Sequence, residues 1–220
     1  MKISALIPYW LDDQLDELDY NKTLKKLGGK YLINYSIELL NSIPQIDETV
    51  IYCSNQKINK YINQGLDYKF IERDKSLDNE NILVDDIIEA FVKTTNAEII
   101  ILLHPHSPFL NSSTLLECLD KVMSKEYSSS FTAYEFKKLA WYKGKPLNYA
   151  LNKGTPKLKT LEPIVIEQSS LYIFSIENNK IIKNNPYIKV INHFEGLDVQ
   201  SKEDFEIAEL IVNSGMYPKV

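Results

Sequence analysis

Four short stretches carry residue types that can do chemistry on a charged substrate. The first is Gly196-Leu197-Asp198-Val199-Gln200-Ser201-Lys202-Glu203-Asp204-Phe205. It reads as a short strand bringing Asp198 to a sheet edge, then a helix capped at Ser201 with Glu203 and Asp204 in its first turn. Free N–H groups and the dipole at a helix start favour negative charge, which is enough to explain Asp204. A carboxylate at a strand end has another use, holding a divalent metal against a phosphate. The second stretch is Asn21-Lys22-Thr23-Leu24-Lys25-Lys26-Leu27-Gly28-Gly29-Lys30. A lysine-rich turn before a helix can bind phosphate oxygens through ammonium and free backbone N–H groups. A solvated basic loop is the plain alternative. The third is His104-Pro105-His106-Ser107-Pro108-Phe109, directly after an apolar run, where ligands bind in open sheets. Its two prolines fix the turn. Two histidines alone do not complete a metal site, so a ligand contact and a structural hydrogen-bonding role both stand. The fourth, Glu167-Gln168-Ser169-Ser170-Leu171-Tyr172-Ile173, is polar and leads into an apolar strand, a common pattern that can line a pocket.

The periodicity supplies elements to position these groups. Strands are expected at Ile3–Ile7, Glu48–Ser54, Tyr68–Ile71, Glu98–Leu103, Ser129–Tyr134, Ile164–Ile166 and Ser170–Phe174. Helices are expected at Tyr31–Ile43, Ile58–Gln64, Ile82–Lys93 and Thr114–Met123. Leu11 to Tyr20 is an acidic loop or short helix. The run Ile99-Ile100-Ile101-Leu102-Leu103 is typical of the middle of a parallel sheet. The alternation implies an α/β fold, a doubly wound, mostly parallel sheet that binds ligands at the C-terminal ends of its strands. From 136 to 165 the rhythm breaks into Lys, Tyr, Asn and Pro. This stretch reads as a small β arm within one domain spanning 1–220, either meeting a second subunit through Trp141, Tyr142 and Tyr149 or packing on its own domain.

The chain has 220 residues and a formal net charge of −5, which argues against general nucleic-acid binding. No apolar run approaches membrane-spanning length, so no membrane partner is expected. The opening Met1-Lys2-Ile3-Ser4-Ala5-Leu6-Ile7-Pro8 is too short and too soon interrupted for a signal peptide, and a cytoplasmic location is expected. Cys53 and Cys118 both sit in apolar patterns and read as buried thiols with neither disulfide nor zinc spacing.

Taken together, the four stretches resemble the CMP-sialic acid synthetase (acylneuraminate cytidylyltransferase) family, to which the CMP-KDO synthetases are more distant relatives. Ile7-Pro8 and Leu27-Gly28-Gly29-Lys30-Tyr31-Leu32-Ile33 are similar to that family's Ile-Pro-Ala-Arg opening and its Leu-Gly-Gly-Lys-Pro-Leu-Ile turn. Leu102 to Phe109 resembles Leu-Leu-Gln-Pro-Thr-Ser-Pro-Leu, and Glu167 to Ile173 resembles Glu-Asn-Gly-Ala-Leu-Tyr-Ile. Leu197-Asp198-Val199-Gln200 resembles Ile-Asp-Ile-Asp. The resemblance spans nearly the whole chain and implies a Rossmann-like nucleotidyltransferase fold and a homodimer. It also implies a reaction for glycan or surface polysaccharide synthesis, in which the hydroxyl of an acidic, sialic-acid-like sugar attacks the α-phosphate of CTP and pyrophosphate leaves. Magnesium would be held by Asp198 and Gln200, and Lys22 would neutralise phosphate charge. Pro8, Tyr9, Trp10, Lys22 and Ser107 would line the nucleotide side. His104, His106, Gln168 and Ser169 would meet the sugar.

Three positions depart from the family. Its Gly-Gly-Ser-Lys-Gly loop is replaced by Trp10-Leu11-Asp12-Asp13-Gln14-Leu15-Asp16-Glu17-Leu18-Asp19-Tyr20. Glycines let a backbone approach a triphosphate, whereas carboxylates repel it. The arginine after Ile-Pro is missing, and Gln200 stands where a second metal-site aspartate belongs. A catalytically inactive homologue serving as a binding or regulatory subunit is therefore the alternative. A nucleotide-sugar glycosyltransferase fits less well, because no Asp-x-Asp follows the apolar strand at 98–103.

Overall fold

A computed structural model describes residues 1–11 and 24–215. The strands are β1 (Ile3–Tyr9), β2 (Lys26–Leu27), β3 (Lys30–Tyr31), β4 (Glu48–Cys53), β5 (Lys69–Glu72), β6 (Ile99–Leu103), β7 (Ser129–Phe136), β8 (Trp141–Tyr142), β9 (Lys145–Pro146), β10 (Ile164–Glu177), β11 (Lys180–Ile182) and β12 (Pro186–Val190). The helices are α1 (Leu32–Asn41), α2 (Val84–Val92), α3 (Ser112–Met123) and α4 (Lys202–Asn213). Eight strands form one mixed sheet in the order β12-β7-β10-β6-β1-β4-β5, with β11 paired to β10. The β6-β1-β4-β5 half is parallel throughout, as its βα rhythm predicts. β10 runs antiparallel to both β6 and β7, and β12 is parallel to β7. The expected doubly wound, Rossmann-like α/β architecture is present.

Side chains alternate across a strand, so each central strand feeds two cores. Ile3, Ala5, Ile7, Ile99, Ile101 and Leu103 pack under α1 and α3 with Ile33, Ile37, Leu40, Leu115 and Leu119. Leu6, Ile100 and Leu102 pack on the opposite face with Ile88, Phe91 and Val92 of α2. A third cluster joins Phe205, Ala208 and Ile211 of α4 to Leu27, Leu32, Phe109 and Val199. Cys53 and Cys118 are buried free thiols, and burial pushes Cys118 up to about 12.

The structure corrects several boundaries. Ile164–Ile166 and Ser170–Phe174 are one long strand, β10, interrupted by a bulge. The expected helix at Ile58–Gln64 is a 3-10 helix at Gln56–Tyr61, which a single turn of apolar spacing does not distinguish from an α-helix. The strands β11 and β12 lie in a Lys- and Asn-rich stretch with little alternation, and sequence pattern missed them. The 136–165 excursion holds the β8–β9 hairpin, where Trp141 and Tyr142 are exposed and Trp141 meets Tyr149 edge-on at 6.2 Å. Among the described residues no helix is long and apolar enough to cross a membrane.

Two glycines shape the turn between β2 and β3. Gly28 has φ +57°, and a Cβ there would meet Val212 Cγ1 of α4 at 2.9 Å; Gly29 has φ +86° and open space around it. Gly28→Ala therefore adds a clash to backbone strain and is expected to cost about 2–4 kcal/mol in urea unfolding. Gly29→Ala meets only the strain and should cost about 1–2 kcal/mol.

Candidate active site

The sheet brings three distant segments to the C-terminal end of β6. The first is the loop 104–108. The His104 N–H donates to Ser170 O at 3.1 Å, and Ser36 Oγ donates to His104 O at 3.4 Å. The second is the bulge in β10. Gln168 pairs with Thr132 and the next pairing is Tyr172 with Phe131, so 169–171 have no partner on β7. Bulges re-aim side chains, and Ser169 in this one donates to Asp198. The third is 195–200. The expected strand at Asp198 is absent: this segment is irregular and joins no sheet. It is fastened instead by the Val199 N–H donating to His106 O at 2.8 Å and by Gln168 Nε2 donating to Gly196 O. The α4 helix starts where expected, with Ser201 Oγ accepting from Asp204 N at 3.0 Å and Asp204 Oδ2 accepting from Ser201 N at 2.8 Å. Asp204 is a helix cap.

Asp198 is the centre of the group. Its Oδ1 accepts from Ser107 Oγ and lies 3.5 Å from His106 Nδ1, and its Oδ2 accepts from Ser169 Oγ at 3.0 Å. Burial pushes the carboxyl pKa up, but the donors from His106, Ser107 and Ser169 outweigh it and hold the group below its ordinary value. The His104 ring stacks on that of His106, with centroids 5.2 Å apart and planes 14° apart. Burial and the neighbouring His106 push His104 from 6.5 down to about 4, so it is neutral at neutral pH.

Of the sequence candidates, His104, His106, Ser107, Ser169 and Asp198 meet here. Gln168 lies beside them, but it is buried and its amide nitrogen is committed to Gly196. Gln200 is exposed, and its backbone N–H donates to Asp204 Oδ2 at 3.1 Å. Pro8, Tyr9 and Trp10 end the neighbouring strand β1. Tyr9 is buried in the core, whereas Trp10 is exposed. Lys22 lies outside the described residues. A cavity of about 790 Å³ opens between α1, α3 and the end of α4, and of this group it touches only Ser107.

Magnesium usually takes one or two carboxylates together with water and phosphate oxygens. Asp198 is the single carboxylate of the expected pair, and both of its oxygens are already engaged by protein donors. Among the described residues no group of three His, Cys, Asp or Glu side chains is arranged to hold a metal. Asp198 would supply one carboxylate to a magnesium ion, and Gln200 would add only a neutral amide, a weaker ligand.

A second polar cluster escaped the sequence reading. Arg73, the chain's single arginine, follows β5 and is 3% exposed. Its Nη2 pairs with Asp78 Oδ1, Ser54 Oγ donates to Asp78 Oδ2, and the guanidinium lies 5.9 Å from the Tyr52 ring. Arg73 Nε is buried and has no hydrogen-bond partner among the described residues. An unmatched buried donor is costly, so this atom suits an incoming acceptor at the ends of β4 and β5. One arginine among 25 basic residues, placed just after an apolar strand, was the available signal.

Asp78→Ala strands the buried guanidinium and is expected to cost about 3–5 kcal/mol in denaturant titration. His104 gives a pH signature. Its folded pKa lies below the ordinary value, so the unfolded chain binds the extra proton first. Stability should therefore fall as pH drops from 6.5 toward 4 and be unaffected by this group above 6.5. Melting temperature against pH should show a shallower acid fall for His104→Gln than for the parent.

The cytidylyltransferase family model matches residues 20–178. A sequence search of curated proteins finds no match. Among solved structures, the chain is similar to a CMP:2-keto-3-deoxy-manno-octonic acid synthetase complexed with CTP, with TM-score 0.70 and 11% identity over 98% of this chain and 100% of that one. It is also similar to 4-diphosphocytidyl-2C-methyl-D-erythritol synthase from Anaerococcus prevotii DSM 20548, with TM-score 0.59 and 13% identity over 96% of each chain. These likenesses describe a shared fold, and the family match runs from the lysine-rich turn through the bulged strand. The chain belongs to the cytidylyltransferase family.

Proposed function

We propose that this protein transfers CMP from CTP to a hydroxyl of an acidic, sialic-acid-like sugar and releases pyrophosphate. The observation that carries this reading is the convergence of His104, His106, Ser107 and Ser169 on Asp198 at the end of β6. That is the strand end where an open sheet takes its ligand. The family match supports the cytidylyl donor, and the solved synthetase that resembles this fold is described with CTP bound and named for an acidic sugar. In this reading the ends of β1, β4 and β5, with Trp10 and Arg73, face the nucleotide. The Asp198 group faces the acceptor. Catalysis is then chiefly positioning and charge stabilisation. Asp198 would hold magnesium against the triphosphate, and Lys22 would add positive charge to the phosphates. The protein works as a cytoplasmic homodimer, with the exposed arm at Trp141 and Tyr142 as the subunit contact.

The replacement of the glycine loop by an acidic stretch favours one other reading, an inactive homologue retained as a binding or regulatory subunit. Two measurements separate them. Isothermal titration should detect CTP binding, and absence of heat at millimolar CTP would tell against both nucleotide chemistry and the site assignment. Pyrophosphate release should appear with CTP plus sialic, legionaminic, pseudaminic or eight-carbon keto acids. Asp198→Asn keeps the shape and removes the charge, and should lower that rate by about 100-fold or more. An unchanged rate refutes the role given to Asp198.

A further inference from the structure

We propose that the stretch 137–160 lies on an anionic lipid bilayer, with its lysines at the headgroups and its leucines in the interface. The inference is independent of the transferase reading and of the subunit contact given to Trp141 and Tyr142. The expectation of no membrane partner rested on the lack of a spanning run, which does not bear on a segment that lies on the surface.

The charge of this stretch differs from that of the rest of the chain. It carries Lys137, Lys138, Lys143, Lys145, Lys153, Lys157 and Lys159, and no Asp or Glu. The stretch is therefore +7 in a chain whose formal net charge is −5, so the remainder is −12. An anionic surface repels that remainder and attracts the arm, which sets the orientation as well as the contact. All seven lysines are exposed. Among the described residues none of them pairs with a carboxylate, whereas Lys2, Lys30, Lys121, Lys183, Lys189 and Lys202 each do.

Lysines alone would describe a solvated loop. The same stretch also presents Leu139, Leu147, Leu151 and Leu158, which are between 37% and 63% exposed. Leucine gains little from a hydrophilic polyanion such as a nucleic acid or an acidic polysaccharide. It gains at a bilayer, where acyl chains begin just below the charged headgroups. A lysine beside it lays its apolar stem along the same boundary and keeps its ammonium group at headgroup level. Positive charge and exposed leucine on one stretch therefore favour lipid over the other anionic partners.

The fold holds this stretch together as a surface. β8 and β9 form a tight hairpin, with Lys143 at φ 49° and Gly144 at φ 76° in its turn. Asn148 fastens the hairpin. Its Oδ1 accepts from Ala140 N at 3.1 Å, and its Nδ2 donates to Lys138 O at 2.9 Å and to Glu162 O at 3.3 Å. One side chain thus ties both ends of the excursion to its middle. Leu161, 3% exposed, returns the chain to the domain. The short 3-10 turns Leu151–Lys153 and Leu158–Thr160 each present an exposed leucine with an exposed lysine.

The test is co-sedimentation of the full chain with vesicles of phosphatidylcholine alone or with about one-third phosphatidylglycerol. The parent should pellet with the anionic vesicles and not with the neutral ones, and about 0.5 M salt should release most of it. Replacing Lys145, Lys153 and Lys157 together by Gln should weaken binding about 100-fold, and replacing the same three by Arg should leave it within about threefold. Replacing Lys60, Lys69 and Lys93 by Gln makes the same change in net charge away from the arm and should leave binding within about twofold. Leu151→Ser with Leu158→Ser should weaken binding about tenfold while keeping its dependence on salt. Each variant is compared only where it keeps the parent's melting transition. No pelleting with anionic vesicles overturns the proposal, and so does an equal loss from the distant lysines. Serine variants that bind as the parent does show that the leucines stay out of the bilayer and refute the inference as stated. Arm substitutions that alter only the oligomeric mass, with no vesicle binding by the parent, make the arm a subunit contact alone.

Discussion

A carboxylate largely withdrawn from water has to be supplied with donors, and at the half-buried Asp198 that requirement organises the strand-end region. An unpaired ion away from water costs several kcal/mol or more, so the fold must deliver partners to it. They come from two other places in the chain, 91 and 29 residues away, as the hydroxyls of Ser107 and Ser169. Neither partner would face Asp198 without a local irregularity. Ser107 lies in a proline-bounded loop, and Ser169 lies in the unpaired part of a bulged strand. Gln168 and Val199 then fasten the aspartate segment across the same seam.

The sheet topology explains why this seam forms where it does. β6 and β1 are parallel neighbours, so their C-terminal ends open on the same edge. β10 enters beside β6 in the antiparallel sense. The start of its β6-paired stretch therefore lies against the end of β6, which sets the bulge beside the histidine loop. α4 closes the region from the side. Its Phe205 and Ala208 pack with Val199 and Phe109, so the segment carrying Asp198 is anchored by apolar contacts as well as hydrogen bonds.

The Arg73 cluster is organised by the same physics in mirror image. A buried cation is matched by Asp78, and Ser54 completes the anion's shell. The two clusters lie at strand ends on the same edge of the parallel half-sheet and at its border with β10. Among the described residues, the Arg73 cluster leaves a guanidinium nitrogen unmatched.

Much of this was legible in the residues themselves. The run of five apolar residues at 99–103 read as a strand from the middle of a parallel sheet and is a buried central strand, parallel to β1 but antiparallel to β10, and Ser201 with Asp204 read as the start of α4. Both are local: they depend on side-chain period and on neighbours within one turn. The order of the four polar stretches pointed to the family for the same reason, because each motif lies within about ten residues of chain. What only the tertiary structure decided was non-local. A carboxylate on paper does not name its hydrogen-bond donors, and those at Asp198 come from segments that sequence spacing does not connect. The bulge at 169–171 is invisible as a pattern, since it shows only as a mismatch with β7. Local periodicity is written into the chain, whereas the partners of a buried charge are set by how distant strands are laid side by side.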